Sequence, residues 1–374
     1  MASAKKIDYP LIIITTLLVV FGIIILASAS TSISQIRFGN SYYLFNHQML
    51  FALIPGVFLA FFFSKIKLSL LKKWAPVFLL INLLVMTFVF LPYIGIKVGN
   101  AARWISLGLT SFQPSEALKL TFILYLASWL ESKGRKKITL PKTQKDLKES
   151  LVAFLVIIAL IGLLLALQSD IGTLVVIIAI AFLMYFFANT PFWHTILIGT
   201  IFVVGLLIVI NLAPYRLQRV SVFLNPDQDP MGVGYQIKQS LMAIGSGGVF
   251  GLGFGMSQQK FLPHSISDSI FAVLAEEAGF IGSVVLILLF LLFLWRGFRI
   301  GKQSKNKFFS LTALGITSWI LVQALVNIGA MVGIIPLTGI PLPFISHGGS
   351  ALVTELIGVG ILINISKSVK YEEE

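Results

Sequence analysis

The chain has 374 residues, of which 57% are hydrophobic and only 11% are charged, and it has no cysteine. A soluble domain has about a quarter charged residues, so the composition excludes a water-soluble globule. The absence of cysteine excludes disulfides and thiolate metal sites. The net charge of +13 does not indicate nucleic-acid binding, because the basic residues lie between apolar segments, where anionic lipid headgroups attract them.

Apolar segments of about 20 residues, the length that crosses a bilayer, recur along the whole chain. They predict an all-α membrane protein that forms one domain, residues 1–374, with about ten transmembrane helices. The first segment is too long for a cleaved signal and is expected to be retained. The ten predicted helices cover residues 10–30, 46–64, 74–92, 115–131, 150–168, 171–188, 192–212, 269–295, 308–330 and 349–366. Only "QSDIG" separates the fifth helix from the sixth, which predicts a tight helical hairpin.

The basic residues predict which side of the membrane each loop faces. If both termini are cytoplasmic, the inner segments hold 20 of the 28 basic residues and the outer segments hold seven. Membrane proteins concentrate Lys and Arg on the cytoplasmic side, so this orientation is favoured. It places a C-terminal tail, about residues 367–374, inside and the one long loop, about residues 213–268, outside. That loop is rich in glycine and apolar residues, which predicts short or re-entrant helices folded against the membrane.

Charged residues at a membrane edge are costly and by default mark a function. Asp268 stands where a polar stretch becomes the apolar eighth helix. Its carboxylate, or the hydroxyl of Ser267, could cap that helix by accepting a backbone N–H. A carboxylate beside an apolar surface could instead serve as a general base. The residues alone leave both roles open.

Arg216 and Arg219, at the start of the long loop, are three residues apart and share one face if this stretch is helical. They could be arginines that extend towards the headgroups, or a clamp for a phosphorylated headgroup, because guanidinium matches phosphate oxygens bidentately. The other candidate binding residues in outer segments are Arg103, Gln239, Lys260, Ser346 and His347. The last two lie in the glycine-rich turn "PFISHGGS", where a ligand could approach the backbone closely.

Glu116 and Lys119 are three residues apart at the start of the fourth helix, directly after Pro114. An ion pair between them would lower the cost of burying both, and the same pair could act as a switch. Glu355, in the last helix, needs a partner that the sequence does not identify. The motifs GxSxG, HExxH and Walker A are absent, so protease, zinc-hydrolase and ATPase functions have little support.

Five longer motifs occur in order along nearly the whole chain: "NAARWISLGLTSFQPSEALKL", "QSDIGT", "YRLQRVSVFLNPDQDPMGVGYQIKQSLMAIGSGGVFGLGFG", "LPHSISDSIFAVLAEEAGFIG" and "GIIPLTGIPLPFISHGGSALV". Together they resemble the SEDS family (shape, elongation, division and sporulation proteins), whose members include FtsW and RodA. The resemblance implies ten spans. It also implies a peptidoglycan glycosyltransferase that polymerises lipid II on the outer face of the bacterial cytoplasmic membrane. The implied partners are a class B penicillin-binding protein, which is a transpeptidase, and other divisome or elongasome proteins.

The resemblance also assigns roles to residues. Asp268 matches the essential aspartate of the family, Arg216 and Arg219 match its arginine-rich loop start, and Glu116 and Lys119 match a pair linked to activation. The segment "MSQQKF" favours the FtsW-like division branch, and so the division septum, over the RodA-like elongation branch.

Two motifs depart from the family pattern. The usual "HTDFIF" is "ISDSIF" here, so Ile266 replaces a histidine, and the usual "SYGG" is "SHGG". The aspartate itself is retained, so the expected activity is unchanged, while its surroundings differ from those in the family.

The implied chemistry agrees with the residues. Undecaprenyl diphosphate is a good leaving group and needs charge stabilisation more than a proton, so one base and several cations suffice. A divalent cation, Mg²⁺ or Mn²⁺, could share this task, although the sequence shows no clear ligand set.

Two alternatives remain, a transporter of the lipid-linked precursor and a non-catalytic scaffold for the penicillin-binding protein. Transporters bind substrate near the midplane between repeats, whereas no internal repeat is clear here and the charges gather at the outer edge.

Overall fold

The computed structural model describes residues 7–98, 101–135, 144–188, 192–211, 214–257 and 262–369. Within these ranges the helices are α1 (Tyr9–Phe38), α2 (Tyr43–Gln48), α3 (Ile54–Phe63), α4 (Leu68–Phe88), α5 (Pro114–Arg135), α6 (Gln144–Leu167), α7 (Ile171–Phe187), α8 (Phe192–Asn211), α9 (Pro214–Leu224), α10 (Val233–Ser246), α11 (Ile270–Gln303), α12 (Lys307–Met331) and α13 (Gly349–Ser366). A π-helical turn, Met49–Leu53, joins α2 to α3, and a 3-10 turn, Pro226–Gln228, follows α9. Each of the ten predicted spans coincides with one of these helices or with the α2–α3 pair.

Most of these helices have the length and composition of membrane spans. Six helical segments are long and apolar enough to cross a bilayer: Tyr9–Phe38, Tyr43–Phe63, Leu68–Phe88, Ile270–Gln303, Lys307–Met331 and Gly349–Ser366. Three shorter apolar stretches lie within α6, α7 and α8: Phe154–Leu167, Ile171–Phe187 and Ile196–Gly205. The chain is therefore a multi-pass membrane protein, and the predicted hairpin is confirmed, since only three residues separate α6 from α7.

Helix α5 coincides with the remaining predicted span, but it is not among these apolar segments and it lies inside the bundle. It packs against α4, α7, α12 and α13. Phe122 and Leu126 on this helix are fully buried, and so is Lys119 near its start. Because other helices rather than lipid surround α5, its sequence can contain charged residues that have protein partners.

The prediction of an all-α chain misses one small sheet. Strands β1 (Gly95–Val98), β2 (Ala101–Ser106) and β3 (Ser111–Phe112) form an antiparallel sheet in the order β1–β2–β3, between α4 and α5. The strands are only two to six residues long, and the bulge between Ile96 and Lys97 interrupts the side-chain alternation that would indicate a strand.

Among the described residues, contacts between loops occur at two ends of the bundle. The sheet, the α6–α7 turn, α9 and the segment between α12 and α13 meet at one end, where Arg103 contacts Ser169 and Arg219 contacts Leu337. At the other end, the side chain of Asp8 pairs with Arg296 at 3.0 Å. We refer to these as the outer and inner ends, in keeping with the predicted orientation.

The long outer loop forms short helices, as predicted, and ends in a glycine-rich segment (residues 247–257) that pairs with α11. Helix α11 is broken at Gly279, whose φ of 68° and ψ of −164° are not helical. The break leaves backbone groups without partners inside their own helix, and the glycine-rich segment replaces those partners. Leu252 and Gly253 donate to the carbonyls of Glu276 and Glu277 at 2.9 and 3.0 Å. Phe280 and Ile281 donate to the carbonyls of Gly248 and Val249 at 2.9 and 3.1 Å. Buried backbone groups need hydrogen-bond partners, so this pairing stabilises the break.

We therefore expect Gly279→Ala to destabilise the protein by about 2 kcal/mol or more, because the added methyl group would lie 2.3 Å from the Gly251 nitrogen and φ is positive. Gly245→Ala is the matched control. Gly245 lies within α10, has no neighbour within 4 Å of an added Cβ, and should gain up to about 1 kcal/mol of helix propensity. Thermal melting of the purified variants in one detergent provides the comparison. Equal melting temperatures for the two variants would contradict this account of the break.

Candidate active site

A cavity of about 280 Å³ lies at the outer end of the bundle, and all three arginines predicted as binding residues line it. Arg103 comes from β2, whereas Arg216 and Arg219 come from α9. The rest of the wall is largely apolar: Ile171, Gly172, Val175, Val220, Val326, Ile335, Pro336, Leu337 and Thr338, with Ser169. Arg216 and Arg219 therefore lie on one face of helix α9, as their three-residue spacing predicts.

Backbone carbonyls hold each guanidinium group at the cavity wall. Arg103 donates to the carbonyl of Ser169, Arg216 donates to Ala166 at 3.1 Å, and Arg219 donates to Leu337 at 3.3 Å. Arg216 is only 9% exposed, so it does not extend into solvent as a headgroup-seeking arginine would. Guanidinium groups set in an apolar wall suit an anionic headgroup that carries a lipid tail.

Asp268 does not cap helix α11, so that interpretation is wrong. The N-cap residue is Ser269, and no side chain accepts a capping hydrogen bond there. The Asp268 carboxylate is 15% exposed; its Oδ1 accepts from the Ser267 hydroxyl at 2.8 Å and lies 3.8 Å from His264 Nδ1. Among the described residues no backbone N–H donates to it, and only Oδ1 accepts a side-chain hydrogen bond, from Ser267.

The segment that carries Asp268 is held through its backbone by two residues that we predicted as substrate ligands. Ser346 donates its hydroxyl to the carbonyl of Ser267, and the His347 backbone N–H donates to Ile266 at 2.7 Å. These contacts fix where the aspartate stands. The structure therefore shows a positioning role for both residues, and their contact with substrate remains a prediction.

Two amides that sequence reasoning missed also hold this segment. Asn327 Nδ2 donates to the carbonyls of Asp268 and Ile340, both at 2.7 Å, and Gln236 Nε2 donates to the Ser269 hydroxyl at 2.9 Å. A polar residue inside an apolar helix was the only signal for Asn327, whereas Gln236, in a helix of mixed composition, gave no such signal. The predicted Gln239 is half-buried one turn further along α10, and its side chain makes no hydrogen bond to a described residue. The predicted Lys260 lies outside the described residues.

Asp268 adjoins the arginine cavity through the segment between α12 and α13. A Cβ added to Gly339 would lie 3.8 Å from Asp268 Oδ2, and the preceding residues Leu337 and Thr338 line the cavity. Leu337 is also the residue that accepts the hydrogen bond from Arg219. The candidate base thus stands beside the wall of the cavity, and the arginines form part of that wall.

A buried polar network (Glu116, Lys119, Gln323 and Glu355) lies beneath this outer site. Lys119 Nζ is 2.7 Å from the Glu116 carboxylate and donates to Gln323 Oε1 at 2.7 Å. Gln323 Nε2 in turn donates to Glu355 at 3.3 Å, and Glu355 accepts the backbone N–H of Phe344 at 2.8 Å. The predicted ion pair is confirmed, and the missing partners of Glu355 are Gln323 and Phe344.

The network extends towards both parts of the site. On one side, Ser115, next to Glu116, donates to the Asp170 carboxylate at 2.9 Å, which lies 3.8 Å from Arg103. Asp170 also caps α7 by accepting from Thr173 at 3.3 Å. On the other side, Phe344 belongs to the segment that holds Asp268. One connected set of buried groups therefore links the arginine cavity to the aspartate.

His347 is a neutral group in this setting. Burial and the nearby ring of His47, whose centroid is 6.2 Å away, lower the pKa of His347 to about 4. At neutral pH its ring can contribute hydrogen bonds but no positive charge.

The described residues include no group of three or more His, Cys, Asp or Glu side chains that could hold a metal ion, so they offer no such ligand set for Mg²⁺ or Mn²⁺.

Comparison with known proteins gives a consistent set of relatives. Residues 9–371 match the model of the FtsW, RodA and SpoVE family, described as cell cycle proteins. Stage V sporulation protein E of Bacillus subtilis is 39% identical, over 97% of this chain and 98% of its own length. A probable peptidoglycan glycosyltransferase FtsW of Coxiella burnetii is 38% identical, over 98% of this chain and 97% of its own length. A structure from work on polymerization and crosslinking by a peptidoglycan synthase complex superposes with a TM-score of 0.77 at 28% identity, over 96% of this chain and 98% of that chain.

We expect Lys119→Met to destabilise the protein by about 3–5 kcal/mol, because it leaves the buried Glu116 carboxylate without its cation. Adding Glu116→Gln should recover part of this loss, so the double variant should be more stable than the sum of the single changes by more than about 1 kcal/mol. Melting curves of the wild type and the three variants form the required cycle. Additive effects would show that the two side chains do not depend on each other.

Proposed function

The chain belongs to the FtsW, RodA and SpoVE family of cell cycle proteins, and we propose that it polymerises lipid II into glycan strands on the outer face of the bacterial cytoplasmic membrane. Its enzyme class is peptidoglycan glycosyltransferase, the activity for which several relatives are named. The excess of basic residues in the inner loops supports an orientation with both termini in the cytoplasm. The likeness to FtsW and to a sporulation protein favours the division septum as its location.

The observation that carries this proposal is the pairing of an arginine-lined, mostly apolar cavity with a carboxylate at its edge. The cavity would hold the diphosphate and the first part of the lipid tail, through Arg103, Arg216 and Arg219, with Lys260 as a further candidate. Asp268 would accept the proton of the acceptor sugar hydroxyl while that oxygen attacks the anomeric carbon of the donor. The bond to the diphosphate breaks, and the arginines stabilise the charge of the departing undecaprenyl diphosphate.

The same geometry argues against a transporter of lipid-linked precursor. Transporters place the substrate near the midplane, between structural repeats. Here both the cavity and Asp268 lie at the outer end, beside loops. A scaffold without catalysis would have no use for a carboxylate that caps no helix at this position.

We propose a class B penicillin-binding protein as the partner, since polymerisation without a crosslinking transpeptidase would be wasteful. One relative of known structure comes from work on a complex that coordinates polymerization with crosslinking. The buried polar network would carry the effect of such a partner to the active site. Glu116→Gln lowers stability in either case, because it leaves the buried Lys119 without its anion; if the network acts as a switch, basal activity or the response to the partner changes as well. If it is only structural, stability alone changes.

Asp268→Asn should reduce polymerisation by about 100-fold or more, because the amide cannot accept the proton. Folding should change by less than about 1 kcal/mol, because no helix cap is lost and Asn can still accept from Ser267. The measurement is glycan strand synthesis from lipid II by the purified protein with a class B penicillin-binding protein. Asp227→Asn, which removes an exposed acid from the same outer loop, is the control and should retain normal activity. Normal synthesis by the Asp268 variant would rule out the general-base role.

Arg219→Lys should lower kcat/KM for lipid II by about tenfold or more, because an ammonium group cannot bind a diphosphate bidentately although the charge is kept. Arg37→Lys, at the outer end of α1 and away from the cavity, should have no effect. Equal rates for Arg and Lys at position 219 would show that only the positive charge matters there and that bidentate binding of the diphosphate does not.

A further inference from the structure

A second cavity, of about 40 Å³, lies between α1, the glycine-rich segment and the first half of α11. It is separate from the arginine cavity and shares no lining residue with it. Its wall is rich in oxygen atoms: the hydroxyls of Ser28, Thr31, Ser32, Ser257 and Ser265 and the carboxylate of Glu277. The function proposed above makes no use of this cluster.

The Glu277 carboxylate is the one acid that lines this cavity among the described residues, and it is 2% exposed. Its Oε1 accepts from the Ser28 hydroxyl at 2.6 Å and from the Gly255 backbone N–H at 3.2 Å. Its Oε2 is also buried but accepts no hydrogen bond from any described residue. A buried carboxylate with an unmatched oxygen costs several kcal/mol unless a cation or a proton balances it.

The backbone around Glu277 also favours a positive charge. The break at Gly279 ends the first half of α11 just after Glu277, so the negative end of that helical dipole lies near the carboxylate, although Leu252 and Gly253 already donate to the carbonyls of Glu276 and Glu277. Broken helices inside membranes present such ends to cations. This feature is independent of the side chains that line the cavity and points to the same kind of ligand.

We propose that the cavity binds one monovalent cation, with sodium as the best fit, held by the Glu277 carboxylate and the surrounding hydroxyl oxygens. A volume of about 40 Å³ accommodates one ion without a hydration shell, whereas Mg²⁺ keeps several of its waters. Glu277 is the one lining carboxylate among the described residues, and the neighbouring Glu276 carboxylate, outside the cavity wall, accepts from the Ser257 hydroxyl, so the cavity itself matches a single positive charge better than a double one. The bound ion would tie α1 to Ser265, three residues before Asp268. The proposal does not rest on the proposed function.

The test uses the full chain in detergent at a fixed pH of about 7.5, with NaCl replaced stepwise by KCl or choline chloride at constant ionic strength. Wild type should melt about 2–5 °C higher in saturating sodium than in choline, because a ligand that binds only the folded state stabilises it. Glu277→Gln should have the same melting temperature in sodium as in choline. Glu131→Gln removes an equally buried acid from the inner end of α5, and it should keep the increment even if its melting temperature falls.

A proton on Glu277 gives the opposite pattern. Glutamine imitates a protonated carboxyl group, so Glu277→Gln would then melt like the wild type in every salt, and sodium would have no specific effect on either protein. That outcome overturns the proposal. Ser265→Ala provides an independent check, because removing one hydroxyl ligand should raise the half-saturating sodium concentration several-fold. An unchanged half-saturating concentration in this variant would also overturn the proposal.

Discussion

Lys119 is fully buried in the middle of the bundle, where an ammonium group is stable only if other groups replace the water that it has lost. Glu116 and Gln323 provide that replacement at 2.7 Å each. Gln323 then holds Glu355, and Glu355 holds the backbone of Phe344. Satisfying one buried charge thus fixes the relative positions of α5, α12, α13 and the segment that lies against Asp268.

The backbone imposes a similar requirement where α11 is broken. The groups freed near Gly279 must find partners within the protein, and the glycine-rich segment supplies them because its backbone can approach closely. Two sets of buried polar contacts therefore converge on the start of α11, one from the helices and one from the outer loop. Asp268 lies just before this helix, and neither set of contacts uses its carboxylate. The proposed base therefore takes no part in holding the segment that carries it, because neighbouring groups satisfy the local backbone.

The sequence predicted those features that depend on composition and local spacing. Apolar length located the ten spans, and a separation of three residues indicated both the Glu116–Lys119 pair and the shared face of Arg216 and Arg219. The sequence could not identify the partners of Glu355 or the role of Asn327, because those contacts join residues from different helices. The cap assignment for Asp268 failed by a single residue, since the helix begins after Ser269. Propensity does not resolve a helix start that finely.

The central claim is that lipid II binds in the arginine cavity rather than on the lipid-facing surface. Photocrosslinking from a benzophenone amino acid tests it directly, because α12 offers two adjacent positions with opposite surroundings. Val326 lines the cavity, whereas Leu325 is 59% exposed on the outside of the same helix. We expect the benzophenone at position 326 to crosslink to lipid II, and we expect added undecaprenyl diphosphate to reduce this crosslinking. At position 325 we expect no crosslinking that undecaprenyl diphosphate reduces. Equal capture from both positions, or capture from 325 alone, would contradict this account.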